Sequence, residues 1–182
     1  GTIGAEYVAK SAPDGYTLLV AGPGSVAVAP LLFPKLGYNP LKDLAPITML
    51  VTMPYIIVAH PSVPAKNAAE LIALAKANPG KLNMASGGAG TGQHLAGELF
   101  NVLAGIRMIH IPYKGTAPAI ADIMGGHADL TFSDPSVLPQ LQAGRLKVIG
   151  VSGTKRYPPL PDVPTVNESG LPGFDALNWY PL

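Results

Sequence analysis

The chain has 182 residues, enough for one ordinary domain with a hydrophobic core or for two small lobes sharing a hinge. Apolar residues make up 48% and charged residues 13%, against a usual charged share of about 25%, which argues against a disordered tail or a coiled coil. Twelve Lys and Arg against eleven Asp and Glu leave a net charge of +1, no electrostatic basis for nucleic-acid or anionic-membrane binding, and the lack of cysteine removes disulfides, thiolate metal sites and a cysteine nucleophile.

Residues 3–10 read as a helix, Pro13-Asp14-Gly15 as a turn, 16–21 as a strand, 22–25 as a loop and 46–51 as a further strand. Two strands are thin for an independent sheet. From about 54 to 155, strand-like and helix-like segments alternate. Residues 55–59 are a short apolar, β-rich run. Asn67 stands three residues before Glu70, a capping-box pattern, and the helix it opens carries Leu71, Ile72 and Ala75 on one face before Asn78-Pro79-Gly80 stops it.

Residues 82–85 read as a strand, 86–92 as a glycine-rich loop, and 93–104 as a helix with Leu95, Leu99 and Val102 at helical spacing. A strand over 107–112 follows. Thr116 is placed to cap a helix over 117–124, with Pro118 tolerated in its first turn and Gly125-Gly126 as its stop. Residues 128–132 form the next strand, Ser133-Asp134-Pro135 opens a helix ending near Gly144, and 146–151 is a strand. Four strands separated by three helices predict right-handed crossovers and a mainly parallel sheet. The proline-rich stretch 158–172 is expected to run over the surface. No apolar run approaches the roughly 18 to 20 residues of a membrane span. Because the chain opens on Gly1 and stops just after its only Trp, Trp179, both ends read as cut, with targeting information expected elsewhere.

In an open α/β sheet, ligands bind beyond the carboxyl ends of the strands. The loops that land there run over 22–25, 86–92, 113–116 and 133–136, and they are rich in small residues and hydroxyls, with one Tyr, one Lys and one Asp. Helices that begin directly after such loops present unpaired N–H groups and a positive dipole end, which suits an anion such as a carboxylate. Gly88-Ala89-Gly90-Thr91-Gly92 is misspaced for a dinucleotide fingerprint, and no Gly-Lys-Ser/Thr of a phosphate loop occurs. That loop reads either as a ligand contact through its N–H groups and Thr91 or as a tight turn. Of the four histidines, His60, His110 and His127 read as scattered polar or packing residues, and His94 as bordering the pocket or not. Ser86, His94 and Asp134 share one sheet edge, yet no Gly-x-Ser-x-Gly elbow surrounds any serine. Asp134 reads equally as a helix cap before Pro135. Lys114 is a rim or solvated residue, and Tyr113 closes over a ligand or packs.

At Gly90-Thr-Gly-Gln-His-Leu-Ala-Gly-Glu-Leu-Phe100 and Pro112-Tyr-Lys-Gly-Thr-Ala-Pro-Ala119 the chain resembles the Bug family. These are TctC-like extracytoplasmic solute receptors of tripartite tricarboxylate transporters. Gly4-Ala-Glu-Tyr-Val-Ala-Lys10, Asn78-Pro-Gly-Lys81 and Asp162-Val-Pro-Thr-Val-Asn-Glu-Ser-Gly170 match in the same order. The resemblance implies an α/β fold of the type II periplasmic-binding-protein kind, with two lobes of mainly parallel sheets and an incomplete first lobe. It implies that residues 1–56 belong to the first lobe, 57–179 to the second, and 180–182 to the return into the first. It also implies a periplasmic location, a membrane permease as partner, and a small carboxylate trapped in an interlobe cleft.

Carried over by position, the ligand loop comprises Ser86, Gly87, Gly88, Ala89, Gly90 and Thr91, with His94 behind it. The neighbouring wall comprises Tyr113, Lys114, Gly115, Thr116 and Ala117. Asp134 is a third contact, and Gly24 and Ser25 match a first-lobe loop. The family commonly holds a carboxylate without arginine, and Arg107 and Arg145 fall at the opposite strand ends. The resemblance leaves the acid open among di- and tricarboxylates, amino acids and aromatic acids, and it calls for no cofactor, metal or catalysis. The alternatives are a Ser86/His94 esterase or amidase and a ligand-sensing interaction module. Swapped or associated chains are expected if the first lobe exposes sheet edge.

Overall fold

The computed structural model describes residues 1–182, which divide into two compact units. The first comprises residues 1–52, 90–92 and 178–182; the second comprises 53–89 and 93–177.

The first unit holds helix α1 (Thr2–Ala9), a single π-helical turn over Gly24–Val28 that runs into α2 (Ala29–Leu32), and α3 (Pro40–Asp43). Asn39 caps α3, its Oδ1 accepting the Leu41 N–H at 3.0 Å. Strand β1 (Met49–Pro54) pairs with the last strand, β7 (Leu177–Pro181), as a two-stranded sheet. Two expectations are corrected here. Residues 16–21 are extended but join no ladder: the Ala21 N–H donates to Pro181 O of β7 at 3.2 Å, while Leu18 and Val20 stand 56% and 59% exposed. The segment 22–25 is not a free loop, since Pro23 at φ −51° already sets helical backbone for the turn that follows.

The second unit is a five-stranded sheet covered on both faces. Its strands are β2 (Ile56–Ala59), β3 (Asn83–Ser86), β4 (Ile109–Pro112), β5 (Leu130–Ser133) and β6 (Lys147–Val151), in the order β4-β3-β5-β2-β6. Strand β3 is parallel to β4 and β5, whereas β2 runs antiparallel to both β5 and β6. Four strands therefore point one way, and β2 is inserted among them in reverse. The parallel expectation holds for the alternating β/α stretch and fails for β2, because β2 reaches β3 by way of one helix while running the other way.

Side chains alternate across each strand and so divide the apolar residues between two cores. Ile57, Ala59, Met84, Leu130 and Phe132 meet helices α4 (Ala68–Ala77) and α5 (Gly92–Ala104). Ile56, Val58, Ala85 and Val151 meet α6 (Thr116–Met124) and the segment of 3₁₀ turn Pro135–Val137 and α7 (Leu138–Gln142). Phe100 packs edge-on against Phe132 and Phe174, with ring centroids 5.8 and 5.6 Å away. Each is fully buried, worth about 1.5–3 kcal/mol relative to exposure.

Two further readings change. The buried face of α5 is Ala96, Gly97, Phe100 and Ala104, whereas Leu95, Leu99 and Val102 are turned outward at 40%, 38% and 75% exposure. The cause is Gly97: a Cβ there would collide with the Met84 side chain and touch Phe132, so the helix approaches the sheet along its small residues. The proline-rich segment does more than cover the surface. Val166, Leu171 and Phe174 are buried in the first core, and Thr165 bridges in parallel to Val151.

Candidate functional site

In the second unit the carboxyl ends of β3, β4 and β5 lie along one edge, with Ser86 in register beside Pro112. The chain leaves β3 through the glycine turn and enters α5; it leaves β4 through 113–115 and enters α6. These two exits are stitched together. Tyr113 N–H donates to Ser86 O at 2.9 Å and Gly115 N–H to Gly87 O at 3.1 Å. The buried amide of Gln93 joins them a third time: its Oε1 accepts the Gly87 N–H at 2.7 Å, and its Nε2 donates to Thr116 Oγ1 at 3.1 Å.

Glycine is required at 87 because two backbones pass there. A Cβ would lie 3.3 Å from both Gly115 C and Thr116 N. Gly115 has φ +116°, a backbone that residues with a side chain rarely adopt, and it is the residue that caps α6. Thr116 is thus the first helical residue, and its hydroxyl accepts from Gln93 instead of capping the helix end, which corrects the expected cap. Helix α6 begins at the stitched edge, and its first-turn N–H groups have no intrahelical acceptor.

Ser86 is fully buried. Its Oγ donates to Gly88 O and accepts from Gly88 N–H, both at 3.1 Å, and meets His110 Nε2 at 2.6 Å. His110 stacks on His94, with centroids 3.9 Å apart and planes 23° apart, and His94 Nε2 lies 3.9 Å from Glu98 Oε1. Burial, and secondarily the His94 ring, holds the His110 pKa below the ordinary 6.5, with Glu98 opposing. Tyr113 donates its hydroxyl to Asp122 Oδ2 at 2.6 Å, and that hydrogen bond, reinforced by burial, raises the phenol's pKa. Lys114 and Ala117 are exposed. Asp134 Oδ1 accepts the Ser136 N–H at 2.9 Å, so the side chain does cap the 3₁₀ turn.

The first unit places Gly24 against Gly90, where a Cβ on Gly24 would stand 3.0 Å from Gly90 O, and Thr91 follows in the same unit. Ser25 is buried, its Oγ donating to Gly22 O at 3.1 Å, and Tyr38 Oη donates to Ser25 O. Arginine is absent from the stitched edge. Arg107 and Arg145 precede β4 and β6 at the amino ends of those strands, and Arg156 Nε donates to Glu168 Oε2 at 3.0 Å. No group of three His, Cys, Asp or Glu side chains is arranged to hold a metal ion, and no helix is long and apolar enough to cross a membrane.

Two residues escaped the sequence reading. Gln93 was passed over as the start of a helix, and His110 as a scattered polar residue. A signal for His110 existed in the period of two: Met84 and Ser86 share one face of β3, and parallel pairing of Met84 with His110 puts the imidazole on that face. Gln93 left no local signal, since its role depends on a loop some twenty residues away.

Glycine turns and helix starts gather at the carboxyl edge of a two-faced α/β sheet, and solved structures share this fold. The structure titled "R. palustris Rpa4515 with adipate" superposes with a TM-score of 0.94 at 35% identity, over 100% of this chain and 61% of that one. The structure titled "MatC (Rpa3494) from Rhodopseudomonas palustris with bound malate" superposes with a TM-score of 0.88 at 35% identity, over 99% of this chain and 62% of that one. Among curated relatives, Protein BugT of Bordetella pertussis is 37% identical over 182 residues, 99% of this chain and 56% of BugT. The chain spans about half the length of the curated relatives it matches. All of residues 1–182 match the family described as "Tripartite tricarboxylate transporter family receptor". The chain belongs to that receptor family, and its fold is that of the periplasmic binding proteins.

Proposed function

We propose that this chain is the ligand-binding portion of a periplasmic receptor that captures a small organic carboxylate and hands it to a membrane permease of a tripartite transporter. One observation carries the reading: the exits of β3 and β4 are fastened together through Gly87, Gln93 and Thr116, which gathers a glycine turn and the start of α6 at one place. In this reading Ser86, Gly87 and Gly88 are the held frame of the turn, with Tyr113 and Gly115 the held frame of the neighbouring wall, and the carboxylate is met by N–H groups and hydroxyls from Ala89, Gly90 and Thr91 and from Lys114, Thr116 and Ala117. His94 and Asp134 border it. Two relatives of the same fold are titled with adipate and with malate, both dicarboxylates, which supports the ligand class.

The affinity is attainable without arginine. Hydrogen bonds to a charged acceptor contribute about 1.5–3 kcal/mol each, and a helix terminus up to about 2. Four or five together reach the roughly 8 kcal/mol of a micromolar complex, and the cost of ordering takes back part of that sum. A Ser86/His94 esterase is less well supported, because the Ser86 hydroxyl is buried and held by the Gly88 backbone and His110. Calorimetry of the ligand-free protein with malate, adipate and a panel of tricarboxylic, amino and aromatic acids tests the proposal. Micromolar binding of at least one acid is expected; silence across the panel overturns it.

A further inference from the structure

The glycine turn after β3 is gripped from beneath by an imidazole. Ser86 Oγ has one proton and two lone pairs. Its three contacts, Gly88 O at 3.1 Å, Gly88 N at 3.1 Å and His110 Nε2 at 2.6 Å, use all of them only if the proton goes to Gly88 O and both nitrogens donate. A bare Nε2 at 2.6 Å would take the Ser86 proton and forgo the bond to Gly88 O. A hydrogen on His110 Nε2, which a neutral ring supplies in one tautomer, is the arrangement that satisfies all three contacts.

The other constraint on His110 is the ring of His94 stacked 3.9 Å away. The titratable groups acting on His110 are His94 and Glu98, both on α5; β3 offers only the neutral Ser86 hydroxyl. Glu98 Oε1 lies 3.9 Å from His94 Nε2.

We infer that His110 is a positioning residue: its Nε2–H clamps the Ser86 hydroxyl, and the hydroxyl fixes the Ser86-Gly87-Gly88 turn. As a statement about ligand capture this rests on the carboxylate reading above; as a statement about the turn it does not. A chain of contacts links His94 on α5, through His110 and Ser86, to the backbone of the glycine turn.

The test has two arms. On ligand-free protein, imidazole nitrogen NMR at about pH 7.5 is expected to show His110 carrying its hydrogen on Nε2. Amide exchange at Gly88, corrected for the intrinsic rate, is expected to quicken about tenfold in His110→Phe and to return to within about threefold of wild type in His110→Gln, whose terminal amide restores a donor. A bare Nε2 in wild type, or Gly88 exchange unchanged in His110→Phe, overturns the inference. If His110→Phe does not fold, Ser86→Ala replaces it, and loss of the His110 tautomer preference is the expected result.

In the second arm, malate and adipate are titrated into wild type, His110→Phe and His110→Gln. About tenfold weaker binding in Phe and recovery in Gln are expected. Wild type that binds neither acid removes the carboxylate reading while the exchange arm still decides the clamp. Equal affinity in wild type and His110→Phe removes the positioning role.

Discussion

Gln93 uses both ends of a buried amide to join segments that are distant in sequence, and this makes it the most consequential single residue of the edge. Gln93→Leu keeps most of the volume but leaves the Gly87 N–H without its acceptor. A loss of about 1–3 kcal/mol in urea unfolding is expected, the usual consequence of an orphaned buried donor. His110 supplies a second residue-scale prediction. Because its pKa is held below 6.5 in the folded chain, the unfolded chain takes up the proton first as pH falls. The neutral ring's contribution is thus complete above that ordinary value and is lost below it. The urea midpoint is expected to drop between about pH 7.5 and about pH 5.5, by less in His110→Gln.

At the scale of elements, local chemistry was read correctly wherever a segment closes on itself. Asn67 caps α4 through Oδ1 to Glu70 N–H at 2.9 Å, and Glu70 returns to the Lys66 N–H at 2.8 Å. Asn67→Ala is expected to cost about 0.5–2 kcal/mol, measurable by urea titration with unchanged secondary structure at zero denaturant. Elements whose definition depends on a neighbour were read poorly. Residues 16–21 have strand-like composition but no ladder. The face of α5 could not be chosen from spacing, because Leu95 and Leu99 fit a helical stripe as well as Ala96 and Phe100 do; the space left by Gly97 under Met84 made the choice.

At the scale of the whole molecule the two units differ in how they treat apolar surface. The second buries two cores on either side of its sheet. The first leaves Ile3, Tyr7, Tyr16, Leu31 and Leu41 between 71% and 92% exposed. Exposed apolar area of that kind drives association. The 182-residue chain is therefore expected to associate with rising concentration in light scattering and to bind a hydrophobic dye while still folded. A monomer of constant size with no dye binding would contradict this.

What the amino-acid order determined by itself was the alternation of segments, the capping of α4 and the edge at which small residues and hydroxyls collect. Each follows from period, propensity and turn chemistry within about ten residues. The family motifs, too, are strings of adjacent residues. Only the tertiary structure decided that β2 runs backwards between β5 and β6, that residues 165–174 fill a core, and that Gln93 and His110 hold the glycine turn. Those facts depend on which surfaces meet, and a meeting between residues 86 and 110, or 93 and 116, is fixed by packing and hydrogen-bond satisfaction across the sheet.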